Sequence, residues 1–323
     1  MRKIIDFHNH YFPKRYFRVL ESKHMLDFLG YRFAEVPSYY DMELRREEIA
    51  KMGVDLAVLS LGPPGVDFLP PKEALRLAKS VNDELASIVS KYPNEYLALA
   101  TLPLCDVEAS LTEFDRCIQE LGMKGVIVFS NVKGKLIASE EFYPIFERAQ
   151  RYDVPVLLHP AAPVGIASLL GEYRHPPLVI SEGFLFDSTL AISRLIFDGT
   201  LEKYSKLKIV LPHLGSVVPY ILSRIDIETR RAGDFLEGYK SPLGDKKSFA
   251  SYFSERVYVD TVSHQGPAYN LALEMLGRDK LLLGSDYPYS LWEETVHAIE
   301  KLGLSEEDRE AIYSRNAERL LKI

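Results

Sequence analysis

The sequence predicts an α/β protein closed into a (β/α)8 barrel of the TIM type, and three observations carry that prediction. Short apolar runs rich in β-formers alternate with longer segments of helical spacing along the whole chain. There are eight such runs, which suits a parallel ring, with a doubly wound open sheet as the competing arrangement. Four of the runs end in His or Asp, so a barrel would gather reactive groups at one rim.

The runs fall at residues 4–8, 55–60, 96–102, 125–130, 155–159, 208–213, 257–261 and 281–286. Most are nearly continuous in apolar residues, as in Val54-Asp55-Leu56-Ala57-Val58-Leu59, the pattern of parallel strands buried on both faces. Between them, residues 71–91 set Leu75, Ala78, Val81, Leu85, Ile88 and Val89 on one side of a helix. Residues 106–121 do the same with Leu111, Phe114, Cys117, Ile118 and Leu121. Phe142, Ile145, Phe146 and Ala149 form a third stripe, and Leu190, Ile192, Leu195 and Ile196 a fourth. No repeat, low-complexity tract or linker interrupts the alternation, so residues 1–323 are expected to form one domain.

Two connections exceed a turn. Residues 11–41 carry Tyr11, Phe12, Tyr16, Phe17, Phe28, Tyr31, Phe33, Tyr39 and Tyr40 among Arg and Lys, and residues 230–256 are polar and broken by Gly and Pro. Connections of this length are lids or binding loops, or else surface flaps and subunit contacts.

Composition narrows the function classes. The 323 residues are 47% hydrophobic and 26% charged, with a net charge of −7 and no basic stripe, which argues against nucleic acid as a partner. No apolar run approaches the roughly 18 residues of a membrane span, and Met1-Arg2-Lys3-Ile4-Ile5-Asp6 has no signal-peptide core. The expectation is a soluble, cytoplasmic protein with no membrane partner. The two cysteines, Cys105 and Cys117, make no disulfide framework and suit a reducing compartment.

The strand ends carry the chemistry. The first run ends in Asp6-Phe7-His8-Asn9-His10, the fifth in Leu157-Leu158-His159, the sixth in Leu211-Pro212-His213 and the eighth in Gly284-Ser285-Asp286. His8 and His10 are two apart, so in an extended segment both rings point the same way. Two neutral imidazoles facing one point make half a site for Zn2+ or a similar divalent ion. His159 and Asp286 would complete an N3O set that leaves room for water or substrate.

These residues sit in a run of motifs that extends nearly end to end. It includes Ile5-Asp6-Phe7-His8-Asn9-His10 with Phe12-Pro13, Met123-Lys124-Gly125-Val126 with Asn131 and Gly134-Lys135, and Phe142-Tyr143-Pro144. It continues through Val156-Leu157-Leu158-His159-Pro160, then Pro212-His213-Leu214-Gly215 with Pro219 and Arg224, then Tyr258-Val259-Asp260-Thr261. Gly284-Ser285-Asp286-Tyr287-Pro288 and Asn316-Ala317-Glu318-Arg319-Leu320 complete it. In order and spacing it resembles the amidohydrolase-related branch of the amidohydrolase superfamily. That branch contains 2-amino-3-carboxymuconate-6-semialdehyde decarboxylase and the γ-resorcylate and 5-carboxyvanillate decarboxylases.

The resemblance implies that His8, His10, His159 and Asp286 bind the metal and that His213 is catalytic beside it, with Asp286 moving protons. The family usually has His-Gly-Gly or His-Ala-Gly where this chain has His213-Leu214-Gly215. Binuclear relatives carry a carboxylated lysine at the end of strand four. Here that strand ends in Val128-Phe129-Ser130-Asn131 and the nearest lysine, Lys133, lies beyond it, so one metal ion is expected. The histidine-rich set favours Zn2+, with Mn2+ the alternative.

His264 matches a histidine of some decarboxylases in the group, and Arg32 lies near where the semialdehyde decarboxylase grips a carboxylate. Both are therefore candidate substrate contacts, with Arg45 a second arginine to compare and a solvated surface the competing reading. Asp260 is a candidate to orient His213. His24, His175 and His297 are expected to be exposed.

The implied activity is decarboxylation of an aromatic or enoic carboxylic acid by a homodimer. The alternatives are metal-assisted hydrolysis of a lactone, amide or ester, and a non-catalytic metal-binding scaffold.

Overall fold

The computed structural model describes residues 2–168, 171–238, 243, 247–262, 266–289 and 292–323. Its eight barrel strands are β1 (Ile5–His10), β2 (Leu56–Ser60), β3 in two pieces (Tyr96–Ala98 and Ala100–Thr101), β4 (Val126–Phe129), β5 (Val156–His159), β6 (Ile209–Leu211), β7 (Val257–Asp260) and β8 (Leu281–Leu282). Each pairs in parallel with the next. The ring closes between the last strand and the first. Phe7 N donates to Leu283 O at 2.9 Å, Asp286 N to His8 O at 2.8 Å and His10 N to Tyr287 O at 2.8 Å.

Alternation along the strands divides the apolar residues into two layers. Ile5, Phe7, Leu56, Val58, Leu99, Ile127, Leu157, Val210 and Leu282 pack together inside the ring. Their neighbours Ala57, Leu59, Val126, Val128, Val156, Leu158, Ile209 and Leu211 face the helices in the outer core. This is why the strands read as unbroken apolar runs: both faces are dry. The helix Asn316–Leu321 sends Ala317, Leu320 and Leu321 into the inner cluster and stoppers the barrel at the strands' amino ends.

The principal helices run Pro71–Lys91, Val107–Gln119, Tyr143–Tyr152, Phe184–Phe197, Val218–Phe235, Gly266–Leu276 and Trp292–Glu300. In the first, Ala74, Leu77, Ala78, Val81, Leu85 and Ile88 form the buried stripe, and Leu75 is only half-buried. Leu190, expected on the inward stripe of Phe184–Phe197, points outward and is 51% exposed.

Two other expectations change. Residues 11–41 are not an open loop. They fold into a helix (Lys14–Ser22), a two-residue hairpin (Asp27–Phe28 against Tyr31–Arg32) and two 3-10 turns. Phe12, Tyr16, Phe33 and Tyr39 bury themselves together within this segment, so its aromatic content is largely its own core. The described part of residues 230–256 is helical at both ends: Val218–Phe235 runs into the segment and Phe249–Arg256 closes it. Strand eight is shorter than its apolar run. Beyond Leu282, Thr261 Oγ1 accepts from Gly284 N (3.1 Å) and donates to Gly284 O (3.0 Å), replacing ladder bonds with side-chain bonds.

Candidate metal centre

His8 and His10 leave β1 on the same side, His159 ends β5, and Asp286 follows β8. Their ligand atoms lie within 4.8 Å of one another, all at the carboxyl ends of the strands. His10 Nε2 is 3.0 Å from His8 Nε2, 3.1 Å from His159 Nε2 and 3.1 Å from Asp286 Oδ1. His8 Nε2 is 3.3 Å from Asp286 Oδ1.

Three imidazole nitrogens converging with a carboxylate oxygen make a poor hydrogen-bond set and a good cation site. The outer nitrogens are already engaged: His8 Nδ1 with Asp260 Oδ2 (2.7 Å), His10 Nδ1 with Ser60 Oγ (3.1 Å) and His159 Nδ1 with Pro160 O (2.8 Å). A ring whose Nδ1–H is committed outward presents the Nε2 lone pair inward.

The electrostatics agree with that use. Burial pushes His10 down to about 4 and His159 well below the ordinary histidine value, with neighbouring histidines adding to the effect on His159. Both are therefore neutral donors at ordinary pH. Burial alone would raise the Asp286 carboxyl, but His8, His10 and His213 outweigh it and hold the group well below the carboxylate range. His8 keeps a raised basicity despite burial because Asp286 and Asp260 both face it. The residues present thus fit a divalent cation: three imidazole nitrogens and one carboxylate oxygen converge on one point.

His213 stands beside the quartet. Its ring centroid is 5.7 Å from that of His8 and 5.5 Å from that of His159, and its Nε2 is 3.8 Å from Asp286 Oδ2. It follows Leu211 in a turn whose residues are left-handed: His213 (φ 56°), Leu214 (φ 54°), Gly215 (φ 78°) and Ser216 (φ 60°). A Cβ on Gly215 would come within 2.9 Å of Val259 Cγ1, so only glycine fits there. Leu214, where the related motif has Gly or Ala, adopts the left-handed shape with its side chain buried.

Asp260 does not hold the His213 ring. Its Oδ1 accepts from the His213 backbone amide at 2.8 Å, and the ring that it contacts belongs to His8.

A cavity of about 350 Å3 opens on this centre. His159, His213 and Asp286 form its polar end, and Tyr31, Pro63, Phe184, Leu185 and Tyr289 are among its walls. Arg32, the expected carboxylate contact, is 68% exposed, pairs with Glu35 at 3.1 Å and is absent from the described lining. Its neighbour Tyr31 faces the cavity instead.

Arg45 is not solvated. It is fully buried, bonded to Asn9 and to Ser38 O, with its guanidinium over the Tyr287 ring at 4.7 Å. His264 lies outside the described residues, and His24, His175 and His297 are exposed. Tyr289 and Phe184 were not singled out by sequence, because residues that line a cavity by tertiary placement carry no motif. Ser130, at the end of β4, donates to Asp187, and Lys133 turns away toward Leu69 O at 3.4 Å.

A buried His3Asp cluster at the carboxyl rim of a closed parallel barrel, with a cavity opening on it, defines a metal-dependent barrel enzyme. The sequence model of the family described as Amidohydrolase matches residues 5–323, so the chain belongs to that family. The 2-amino-3-carboxymuconate-6-semialdehyde decarboxylase of Dictyostelium discoideum is 30% identical, covering 97% of this chain and 90% of its own length. The γ-resorcylate decarboxylase of Polaromonas sp. JS666 is also 30% identical, covering 88% of each. The crystal structure of a dihydroxybenzoic acid decarboxylase from Polaromonas sp. JS666, with bound manganese and the inhibitor 2-nitroresorcinol, superposes with a TM-score of 0.86. It is 27% identical, covering 100% of this chain and 97% of that one.

Proposed function

We propose that this protein is a metal-dependent, non-oxidative decarboxylase of a small aromatic carboxylic acid. The observation that carries the reading is the cavity: a largely apolar space of about 350 Å3, ring-sized, that ends on His159, His213 and Asp286. Full-length relatives that decarboxylate such acids support it.

His8, His10, His159 and Asp286 would hold one divalent cation, which supplies positive charge to substrate oxygens when bound. The histidine-rich set suits Zn2+, and Mn2+ is the ion in the related structure. In the reaction the bond from ring carbon to carboxylate breaks and its electron pair stays on the ring carbon. A proton must then reach that carbon. The His213–Asp286 pair, 3.8 Å apart, stands where a proton can be held and delivered. Neutral CO2 leaves into apolar walls.

The proposal includes a homodimer. Phe186, Leu190 and Tyr220 are 45%, 51% and 80% exposed, on two helices that Ser188–Ser216 (2.8 Å) and Val217–Thr189 (3.1 Å) bonds draw together. That apolar surface is what a second copy would cover. A cytoplasmic setting accords with two unpaired cysteines. No helix among the described residues is long and apolar enough to cross a membrane.

The test is a screen of metal-loaded protein against carboxylated phenols, carboxymuconate-type acids and lactones, with CO2 release and acid release scored separately. CO2 from an aromatic acid, abolished by chelation, is the expected result. Acid release from a lactone with no CO2 from any acid would replace decarboxylation with hydrolysis.

A further inference from the structure

Asp260 sits at the carboxyl end of β7, fully buried, and its two oxygens face different parts of the centre. Oδ2 lies 2.7 Å from His8 Nδ1. Oδ1 accepts from His213 N at 2.8 Å and Val262 N at 3.1 Å, with Leu214 N at 3.5 Å. The site is built for this approach. A Cβ on Gly284 would fall 2.9 Å from both Asp260 Cβ and His8 Cβ, so the three residues meet only because position 284 is bare.

We infer that Asp260 is a positioning residue that sets the metal ligand His8 and the proton-transfer residue His213 against each other through one carboxylate. The inference rests on the metal-centre reading above. A carboxylate only accepts hydrogen bonds, so His8 must carry its proton on Nδ1, which leaves the Nε2 lone pair for the metal. The other oxygen gathers the amides of a turn whose residues are held in a conformation that side-chain-bearing residues disfavour. The same group thereby fixes a ligand's tautomer and the backbone that aims His213. The two rings so held stand 5.7 Å apart.

Asp260→Asn separates the two roles. The amide keeps its shape and offers one acceptor and one donor group. Oxygen toward the turn satisfies the clustered backbone N–H groups, whereas the reverse orientation would face donors with donors. The NH2 group then meets His8 Nδ1, which must become an acceptor and put its proton on Nε2, where the metal belongs. Metal affinity, measured by chelator competition without substrate, is expected to fall about 10- to 100-fold. Saturating metal should restore most of kcat, because the turn keeps its anchor.

Asp260→Ala removes both roles. Affinity falls similarly, and kcat at saturating metal falls about 100-fold or more with little change in KM. Asp260→Ser takes its place should the alanine form not fold. Wild-type metal affinity in Asp260→Asn overturns the ligand half, and full kcat in metal-saturated Asp260→Ala or Asp260→Ser overturns the turn half. A wild-type chain that binds no divalent ion would instead sink the metal reading, and absence of CO2 release alone leaves the affinity result standing.

Discussion

His213 carries its ring on backbone that an L-residue occupies at a cost of about 1–2 kcal/mol, and Leu214 repeats that cost at the next position. Such strain survives where surrounding bonds over-determine it and where it serves the site. His213→Ala is expected to keep the fold and the metal, because His213 is outside the ligand quartet, while turnover falls about 10²- to 10⁴-fold. Metal content by elemental analysis beside steady-state kinetics checks both halves; a metallated variant with normal turnover removes His213 from the reaction.

Asp67 makes a pH-dependent prediction away from the centre. It is buried after β2, and burial raises its carboxyl to about 6, outweighing the bond from Cys105 N (2.8 Å), the Cys105 side chain and the charge of Lys133. An acid whose folded pKa is raised binds more protons in the native state. Its burial is therefore harmless below about pH 4, costs stability increasingly as pH rises from about 4 to 6, and costs no more above that. Asp67→Asn keeps an acceptor for Cys105 N and removes the charge. Its gain over wild type in urea unfolding should grow from near zero at about pH 4 to at most about 3 kcal/mol above pH 6. A gain independent of pH would mean that the carboxyl titrates normally.

At the scale of elements, the 11–41 segment shows what periodicity can and cannot disclose. Its position after β1 and its aromatic content point to the mouth of the barrel, and Tyr31 does line the cavity. Which of Tyr31 and Arg32 faces inward was unreadable, because a two-residue strand has no period to follow. Arg45 was unreadable for another reason: in the helix Met42–Lys51 it stands beside Arg46 among glutamates, and which arginine is buried between Asn9 and two tyrosine rings depends on tertiary packing.

The strand ends were readable because a parallel barrel delivers every carboxyl end to one rim, whatever the loops do. The partner of Asp260 was not, since the choice between ring and backbone depends on the left-handed turn at His213. Arg32→Ala should leave kcat/KM within about twofold, as its exposed pair with Glu35 contributes little. Tyr31→Ala should lower kcat/KM by about tenfold or more through lost ring contact and admitted water. The reverse order in side-by-side kinetics would restore the arginine as the substrate contact.

For the whole molecule, the two ends of the chain meet beneath the barrel. Arg2 bonds Glu300 at 3.0 Å and also Glu306, Arg309 bonds Glu300 at 3.1 Å, and Lys3 bonds Glu318 at 2.7 Å. Inside this clasp Leu320 is almost wholly buried against the barrel interior. Leu320→Ala is expected to cost about 2–4 kcal/mol of stability by opening a cavity at the base. It should leave kcat unchanged at low temperature, because the stopper and the metal centre occupy opposite ends of the ring. Thermal unfolding with kinetics on the same preparation checks this; lost turnover in a folded variant would show that the base is coupled to the rim.

The closing seam between β1 and residues 283–287 also orders events during synthesis. β1 is made before the seven other barrel strands, and one of its edges stays unpaired until Leu283 has been made. A nascent chain therefore holds His8, His10 and His159 long before it owns Asp286 or a finished ring. Metal capture is therefore expected only once Asp286 has been made, and a ribosome-bound chain stalled before Leu283 should retain no ion through a chelating wash while the released protein does.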